Sequence, residues 1–294
     1  MARVFIGMPV YNGQRFLKKA IESFRSQSFR DWTMLISDDC SSDATAQIAA
    51  GYAAIDSRIA YIRQDKNLGL FENFHATLDE AVAPYFMWAA QDDIREPEYL
   101  KTCVERLDAD TSLGLATTQL AVIDSFDRPL TEETQLSRLS GGPGFMSIAR
   151  YVAQPEVLGK CNLMYGLFRT EAARAAWRAY PQRRAWGQDY LFSLALISRY
   201  PIFIDPRIMF KKRRGGFSDA GGTDNDRSDT ASRISYKNPK NHMFPFGRFG
   251  QYFKGHMEAL KGTPYRPLAA TILLARLPRA LCIHIKERLA PSRP

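Results

Sequence analysis

Cysteine is scarce in this chain of 294 residues: there are four, Cys40, Cys103, Cys161 and Cys282, and no two stand in a C-x-x-C spacing. This scatter argues against a zinc site and a disulfide framework, and fits a reducing compartment. The four histidines, His75, His242, His256 and His284, show no ligand spacing either. No apolar run approaches the roughly 18 residues of a membrane span. The short apolar stretch after Arg3 stops at Pro9, with no signal-peptide cleavage site behind it. A soluble, cytoplasmic protein is expected, held at most peripherally at the inner face of a membrane. The P-loop and a G-x-G-x-x-G after the first strand, the two commonest phosphate-cradling motifs, are also missing.

Positive charge is plentiful but unevenly spread. The net charge is +9, and from residue 247 onward nine Lys/Arg face two Glu. The body is therefore nearly neutral, which argues against a nucleic-acid partner and for a basic C-terminal appendage. With 45% apolar residues the chain is rich enough for a sizeable core.

The apolar pattern alternates between two periods. Residues 3–8, 32–37, 59–63 and 85–90 read as short buried strands. Helices are expected between them, for example over 44–54, with Ser42 or Asp43 as its cap. Such alternation means β-α-β units and a parallel sheet, whose ligands bind outside the carboxyl ends of the strands. Those ends carry Pro9 to Asn12, Asp38–Asp39, Lys66–Asn67 and Asp92–Asp93, so four polar clusters converge on one edge. Two adjacent carboxylates closing a buried strand, as in Gln91-Asp92-Asp93, are costly without a cation nearby.

In these clusters the chain resembles the family 2 glycosyltransferases of GT-A fold, over residues 1 to about 215. The matching segments are Met8-Pro9-Val10-Tyr11-Asn12, Ser37-Asp38-Asp39-Cys40-Ser41-Ser42-Asp43, Lys66-Asn67-Leu68-Gly69, Gln91-Asp92-Asp93 and, far downstream, Gly187-Gln188-Asp189. The resemblance implies an α/β, Rossmann-like, mainly parallel sheet flanked by helices, with a helical basic appendage. It implies an inverting transferase that moves a sugar from a nucleotide-diphospho-sugar to a glycan or lipid-linked glycan. By it, Pro9, Tyr11 and Asn12 line the base, Asp38 and Asp39 approach base or ribose, and Lys66 lies near base or phosphates. Asp92 contacts ribose, Asp93 ligates Mg2+ or Mn2+, and Asp189 is the base that takes the acceptor proton. Two positions depart from the family pattern: Ala90 stands where another Asp is frequent, and Lys211 to Gly216 has no metal-binding His. Arg213 or Arg214 are then candidates to share the neutralisation of the diphosphate.

Other readings stay open at this level. A sugar-phosphate nucleotidyltransferase would share the parallel topology, but should carry a glycine-rich basic loop after strand one. A non-catalytic sugar-nucleotide binder would share the clusters. Asp38–Asp39 alone reads equally well as a capped turn, and Lys66 alone as a solvated lysine.

The organisation expected is a transferase domain over 1–215, divided near residue 95 into nucleotide and acceptor halves. A flexible loop over 216–245 and a basic helical segment over 246–294 follow. Within the second half, 97–107 and 146–153 read as helices, and 114–124, 162–169 and 202–204 as strands. Helices capped at Thr170 and running over 190–197 complete it, with Trp186 as a candidate sugar-stacking ring. In the tail, Leu273, Leu277, Leu281, Ile285 and Leu289 recur every four residues, with Pro278 expected to kink or divide the helix. That helix would pack on the body or on a second copy in a homodimer, or lie on anionic lipid.

Overall fold

The computed structural model describes residues 2–133, 136–153, 159–180, 187–214 and 249–289. The polypeptide starts as a parallel α/β unit: β1 (Val4–Val10), α1 (Leu17–Arg25), β2 (Trp32–Asp38), α2 (Thr45–Ile55), β3 (Ile59–Arg63), α3 (Leu70–Asp79) and β4 (Tyr85–Trp88). Strands β1, β2 and β4 are buried nearly throughout, as continuous apolar runs covered on both faces must be. The sheet order is β3-β2-β1-β4 across this half, with every pairing parallel. The direction of winding therefore reverses between β1 and β4. Pairing of β1 with β4 stops at Gly7–Trp88, while β1 runs on beside β2 to Val10–Asp38. Pro9, which has no N–H to donate, sits in the part that has left β4 behind. The gap between β1 and β4 thus opens at their carboxyl ends, the usual place for a ligand in such sheets.

The second half extends the same sheet. After β5 (Ile94–Arg95) and α4 (Tyr99–Ala109) come β6 (Leu115–Ile123), β7 (Pro129–Glu133) and α5 (Phe145–Ala153). A 3-10 helix over Lys160–Tyr165 leads to β8 (Leu167–Arg169), α6 (Thr170–Ala179), α7 (Gln188–Ile197) and β9 (Ile202–Arg213). Strand β8 lies antiparallel between β4 and β6, and β9 runs parallel to β6, with β5 at its outer edge. Helices α8 (Phe249–Ala259) and α9 (Arg266–Leu289) complete the described chain.

Several expectations are corrected. Residues 162–169 are not one strand: Lys160 to Tyr165 coil as a 3-10 helix, and only Leu167–Arg169 is extended. Thr170 does not cap α6 but is its first residue, and its hydroxyl donates to Ala83 O at 2.6 Å. Strand β4 ends at Trp88, two residues short of Ala90, and β9 continues well past Ile204 to Arg213. Helix α2 begins at Thr45, where Asp43 Oδ1 accepts from the Thr45 N–H at 2.9 Å. Pro278 does not divide α9, which is helical on both sides of it. Ala269 and Leu273 of α9 are fully buried, and Arg276 Nη1 donates to Val152 O of α5 at 2.7 Å. The turns from Ala269 to Arg276 therefore pack on the body. Trp186 and the loop over 216–245 lie outside the described residues, as do the side chains of Leu281, Ile285 and Leu289. No helix among the described residues is long and apolar enough to cross a membrane.

Candidate functional site

The opening between β1 and β4 is bridged by one side chain. Gln91 Oε1 accepts from the Tyr11 N–H at 2.8 Å and its Nε2 donates to Tyr11 O at 3.0 Å. This two-way clasp needs bare backbone beside it: a Cβ on Gly13 would lie 2.7 Å from Gln91 Oε1. Asn12, in the left-handed region at φ 48°, ties the turn after β1 to the turn after β2. Its N–H donates to Ser41 Oγ and its Oδ1 accepts from the Ser42 N–H, both at 2.9 Å. Asn is one of the few residues with a side chain that tolerates this conformation.

Asp38 and Asp39 face protein groups. Asp38 is wholly buried; its Oδ1 accepts from the Ser41 N–H at 2.9 Å, and its Oδ2 from Tyr61 OH at 3.0 Å. Arg63 Nη1 lies 3.6 Å from that Oδ2. Asp39 accepts main-chain N–H groups from Leu68 at 2.6 Å and Gly69 at 2.9 Å, pinning the loop that carries Lys66. Burial pushes the Asp39 carboxyl above its ordinary value; the two N–H donors pull it back and the neighbouring Asp38 charge adds to the rise. Lys66 itself is exposed on that loop.

The turn after β4 is built from the far end of the chain. Asp93 is 1% exposed; Oδ1 accepts the Arg213 N–H at 3.0 Å and Oδ2 faces Lys212 Nζ at 3.2 Å. Arg213 turns the other way. Its Nε donates to Asp92 O and its Nη1 to Asp124 O, both at 2.8 Å, while the guanidinium stacks 4.3 Å from the Phe16 ring centroid. An ion-pair contact of 2.6 Å joins its Nη2 to Asp127, off the line of a good hydrogen bond. Arg213 thus acts as a buttress behind Asp92–Asp93, and the cation beside the Asp93 carboxylate is Lys212.

Asp189 stands in the first turn of α7, after Gly187, whose φ of 79° favours glycine. It is half-buried, and its Oδ1 accepts the Tyr190 N–H at 2.9 Å. The 3-10 helix over Lys160–Tyr165 joins it to the β4 turn. The Tyr165 hydroxyl is raised above its ordinary value, chiefly by burial. Lys212 opposes that rise, and the charges of Asp93, Asp189 and Asp92 add to it. The thiol of half-buried Cys161 is pushed up to about 12 by burial and then by Asp189, with Lys212 acting against them. Asp92, Asp93, Lys212 and Asp189 therefore share one electrostatic neighbourhood. Buried Lys160 supports it, donating to Tyr151 O at 2.7 Å and lying 5.5 Å from the Tyr190 ring centroid.

Three roles were missed in the sequence. Lys212 was hidden inside a run of four cations, and Tyr165 inside an apolar segment with no local signal. Gln91 was visible only as part of a motif, because its partner Tyr11 lies 80 residues away. A recess of about 600 Å³, lined by residues 81–84, Arg169, Thr170, Glu171 and Arg174, lies before β4, away from this edge.

Comparison with known proteins bears on the family and the fold. The sequence profile of "Glycosyl transferase family 2" matches residues 5–164. The putative glycosyltransferase EpsE of Bacillus subtilis (strain 168) is 33% identical over 125 residues, which are 42% of this chain and 45% of EpsE. The chain spans less than half the length of the curated relatives it matches. Among solved structures, S. aureus TarS 1-349 in complex with UDP-GlcNAc superposes with a TM-score of 0.61 at 13% identity, over 97% of this chain and 91% of that one. Mannosyltransferase PcManGT from Pyrobaculum calidifontis, in complex with GDP-Man and Mn2+, gives 0.59 at 15% identity, over 100% and 77%. At such identities the likeness establishes the fold. The profile match covers more than half of the chain, which belongs to glycosyl transferase family 2.

Proposed function

We propose that this protein transfers a sugar from a nucleotide-diphospho-sugar to a hydroxyl of a glycan or lipid-linked glycan, with inversion at the anomeric carbon. The observation that carries this reading is the pairing of Asp93 with Lys212 at 3.2 Å, the ammonium lying 5.0 Å from the Tyr165 ring centroid, beside the carboxyl edge where the sheet reverses. The charges of Asp92 and Asp189 act on the same Tyr165 hydroxyl. The complexes of TarS with UDP-GlcNAc and of PcManGT with GDP-Man support the donor class.

In this mechanism the base of the donor rests on the β1 turn, against Pro9, Tyr11 and Asn12. Asp39 and its Leu68–Gly69 loop, which presents Lys66, close over it. Asp38, with no exposed surface, braces the β2 turn from within. Asp92 meets the ribose hydroxyls. Asp189 accepts the proton of the acceptor hydroxyl as its oxygen bonds to the anomeric carbon, and the electron pair of the sugar–phosphate bond leaves on the diphosphate. A single displacement from the opposite face inverts the centre. The amino end of α7 favours the ionised form of Asp189, which a base requires.

The fit of a divalent ion follows from the donor set. Among the described residues no group of three or more His, Cys, Asp or Glu is placed to cage a metal. The residues suit an ion of the Mg2+ type, which uses one or two carboxylates and takes its other oxygens from phosphate and water. Asp93 would hold it. When bound, such an ion supplies positive charge against the departing diphosphate.

A thermal-shift screen of UDP- and GDP-sugars with Mg2+ or Mn2+ tests the donor reading, because a ligand that binds only the native state raises its stability. If no nucleotide-sugar stabilises the protein, the reading fails. With the donor found, Asp189→Asn should lower transfer about 10²–10⁴-fold while leaving donor stabilisation intact. Full transfer by that variant would remove Asp189 from the role of base.

A further inference from the structure

Asp93 is the carboxylate best placed for a metal, yet in the free protein it already has a cation. Lys212 Nζ lies 3.2 Å from its Oδ2. The two groups differ in access: the Lys212 side chain is 22% exposed and that of Asp93 1%. The ammonium thus sits between a buried anion and the open side of the site. Its position is set by the sheet, because β9 is held between β6, where Lys212 pairs with Val122, and β5, where Lys211 pairs with Ile94. A second resting place lies beside it, the Tyr165 ring, whose centroid is 5.0 Å from Nζ. Arg213 cannot substitute, since its guanidinium is committed to Asp92 O, Asp124 O and Asp127.

We propose that Lys212 is an exchangeable counter-ion. In the free protein it neutralises Asp93; when a divalent ion takes that carboxylate, the ammonium is released to bind the donor diphosphate. The proposal rests on the nucleotide-sugar reading above and adds a residue and a coupling to it. A lysine is suited to the task because its ammonium is a compact point charge on a flexible stem, able to bind a carboxylate or a phosphate in turn. Without Lys212 the buried Asp93 charge would be left without its cation, so the pair holds together until another cation arrives. Two consequences follow. A metal ion alone binds weakly, because it must displace an intramolecular cation. Metal and nucleoside diphosphate bind with positive and reciprocal coupling, because each stabilises the arrangement that the other needs.

The test uses the full chain with Mn2+, UDP and GDP as probes. Mn2+ binding in the absence of nucleotide is followed by electron paramagnetic resonance. UDP and GDP binding is followed by calorimetry, in EDTA and in Mg2+. Lys212→Met should bind Mn2+ alone at least tenfold more tightly than wild type, and bind the preferred nucleoside diphosphate at least tenfold more weakly in saturating Mg2+, where the wild-type ammonium is released to the diphosphate. Lys212→Arg, which keeps the charge, should stay within about threefold of wild type in both. It also serves as the control should Lys212→Met fail to fold. Unchanged Mn2+ affinity in Lys212→Met overturns the exchange, and unchanged diphosphate affinity overturns the phosphate role. If wild type binds neither UDP nor GDP with or without metal, the nucleotide-sugar reading itself fails.

Discussion

Two pairs of adjacent aspartates close the strands on either side of β1, and they meet opposite circumstances. Asp38–Asp39, after β2, is satisfied by hydroxyls and main-chain N–H groups of Ser41, Tyr61, Leu68 and Gly69, all within 30 residues. Asp92–Asp93, after β4, is held by the end of β9, with Lys212 and Arg213 lying 119 to 121 residues along the chain. The first pair is a local brace that shapes the loops after β2 and β3. The second is a long-range charge assembly, in place only when the whole sheet has formed. The same dipeptide gives a locally braced turn in one setting and a turn held from the far end of the chain in the other. The partners differ: hydroxyls and main-chain N–H groups hold the first pair, with Arg63 at 3.6 Å from Asp38, whereas the buried Asp93 carboxylate faces an ammonium at 3.2 Å.

The comparison can be broken most forcefully at Arg213. Arg213→Met deletes the guanidinium that supports Asp92 O and Asp124 O and pairs with the partly exposed Asp127. It should cost about 2–4 kcal/mol of global stability in urea denaturation, somewhat less than breaking a fully buried pair. Amide exchange should accelerate at Asp93 and Ile94 before it does at Ser41 and Gly69. Equal acceleration of both turns would mean that they are not independent.

A second comparison uses pH. Asp39 has its carboxyl raised above the ordinary 3.8, mainly by burial, whereas Asp56, paired to Arg58 and Arg25 beside it, is held below that value mainly by its hydrogen bonds to Arg58. Folded Asp39 holds its proton more tightly than the unfolded chain does, so its contribution to stability grows as pH falls through the region just above 3.8. The contribution of Asp56 is complete above 3.8 and is lost as pH falls below it. The stability deficit of Asp39→Asn relative to wild type should therefore widen between pH 7 and pH 4. That of Asp56→Asn should be widest near neutrality and shrink in acid. Denaturation curves at pH 7, 5 and 4 read the first and, carried on to pH 3 and about 2, the second; parallel trends in the two variants would contradict this assignment.

The smallest effect is expected inside the β2 turn. Cys40 has φ 63°, which an ordinary side chain adopts at some cost. Cys40→Asn should raise stability by about 0.5 kcal/mol, since Asn visits this region readily. No gain, or a loss, in the denaturation midpoint would show that the thiol has a packing role there.

The fold of the first half was largely legible, because strands β1 to β4 are short apolar runs separated by helices with a clear 3.6-residue period. The second half was less so. The segment around Tyr165 is as apolar as a strand, yet coils as a 3-10 helix between Gly159 and Gly166. The two-residue β5 and the hairpin strand β7 carry too few residues for any periodicity.

The sequence by itself determined the parallel unit, the edge on which its polar clusters gather, and the residue types available there. These are local properties: apolar period, turn chemistry and the fixed direction of β-α-β winding. Only the tertiary structure decided the partners of each carboxylate. Gln91 clasps Tyr11 across the gap between β1 and β4, Arg213 buttresses Asp92, and Lys212 rather than either arginine faces Asp93. Each of these contacts joins residues at least 80 apart, at distances that arise only when β1, β4 and β9 are fixed in one sheet. A charge run such as Lys211 to Arg214 carries no mark of which side chain will turn inward. Its alternation across β9 and the neighbours waiting on each face assign Arg213 to the interior and Lys212 to the site.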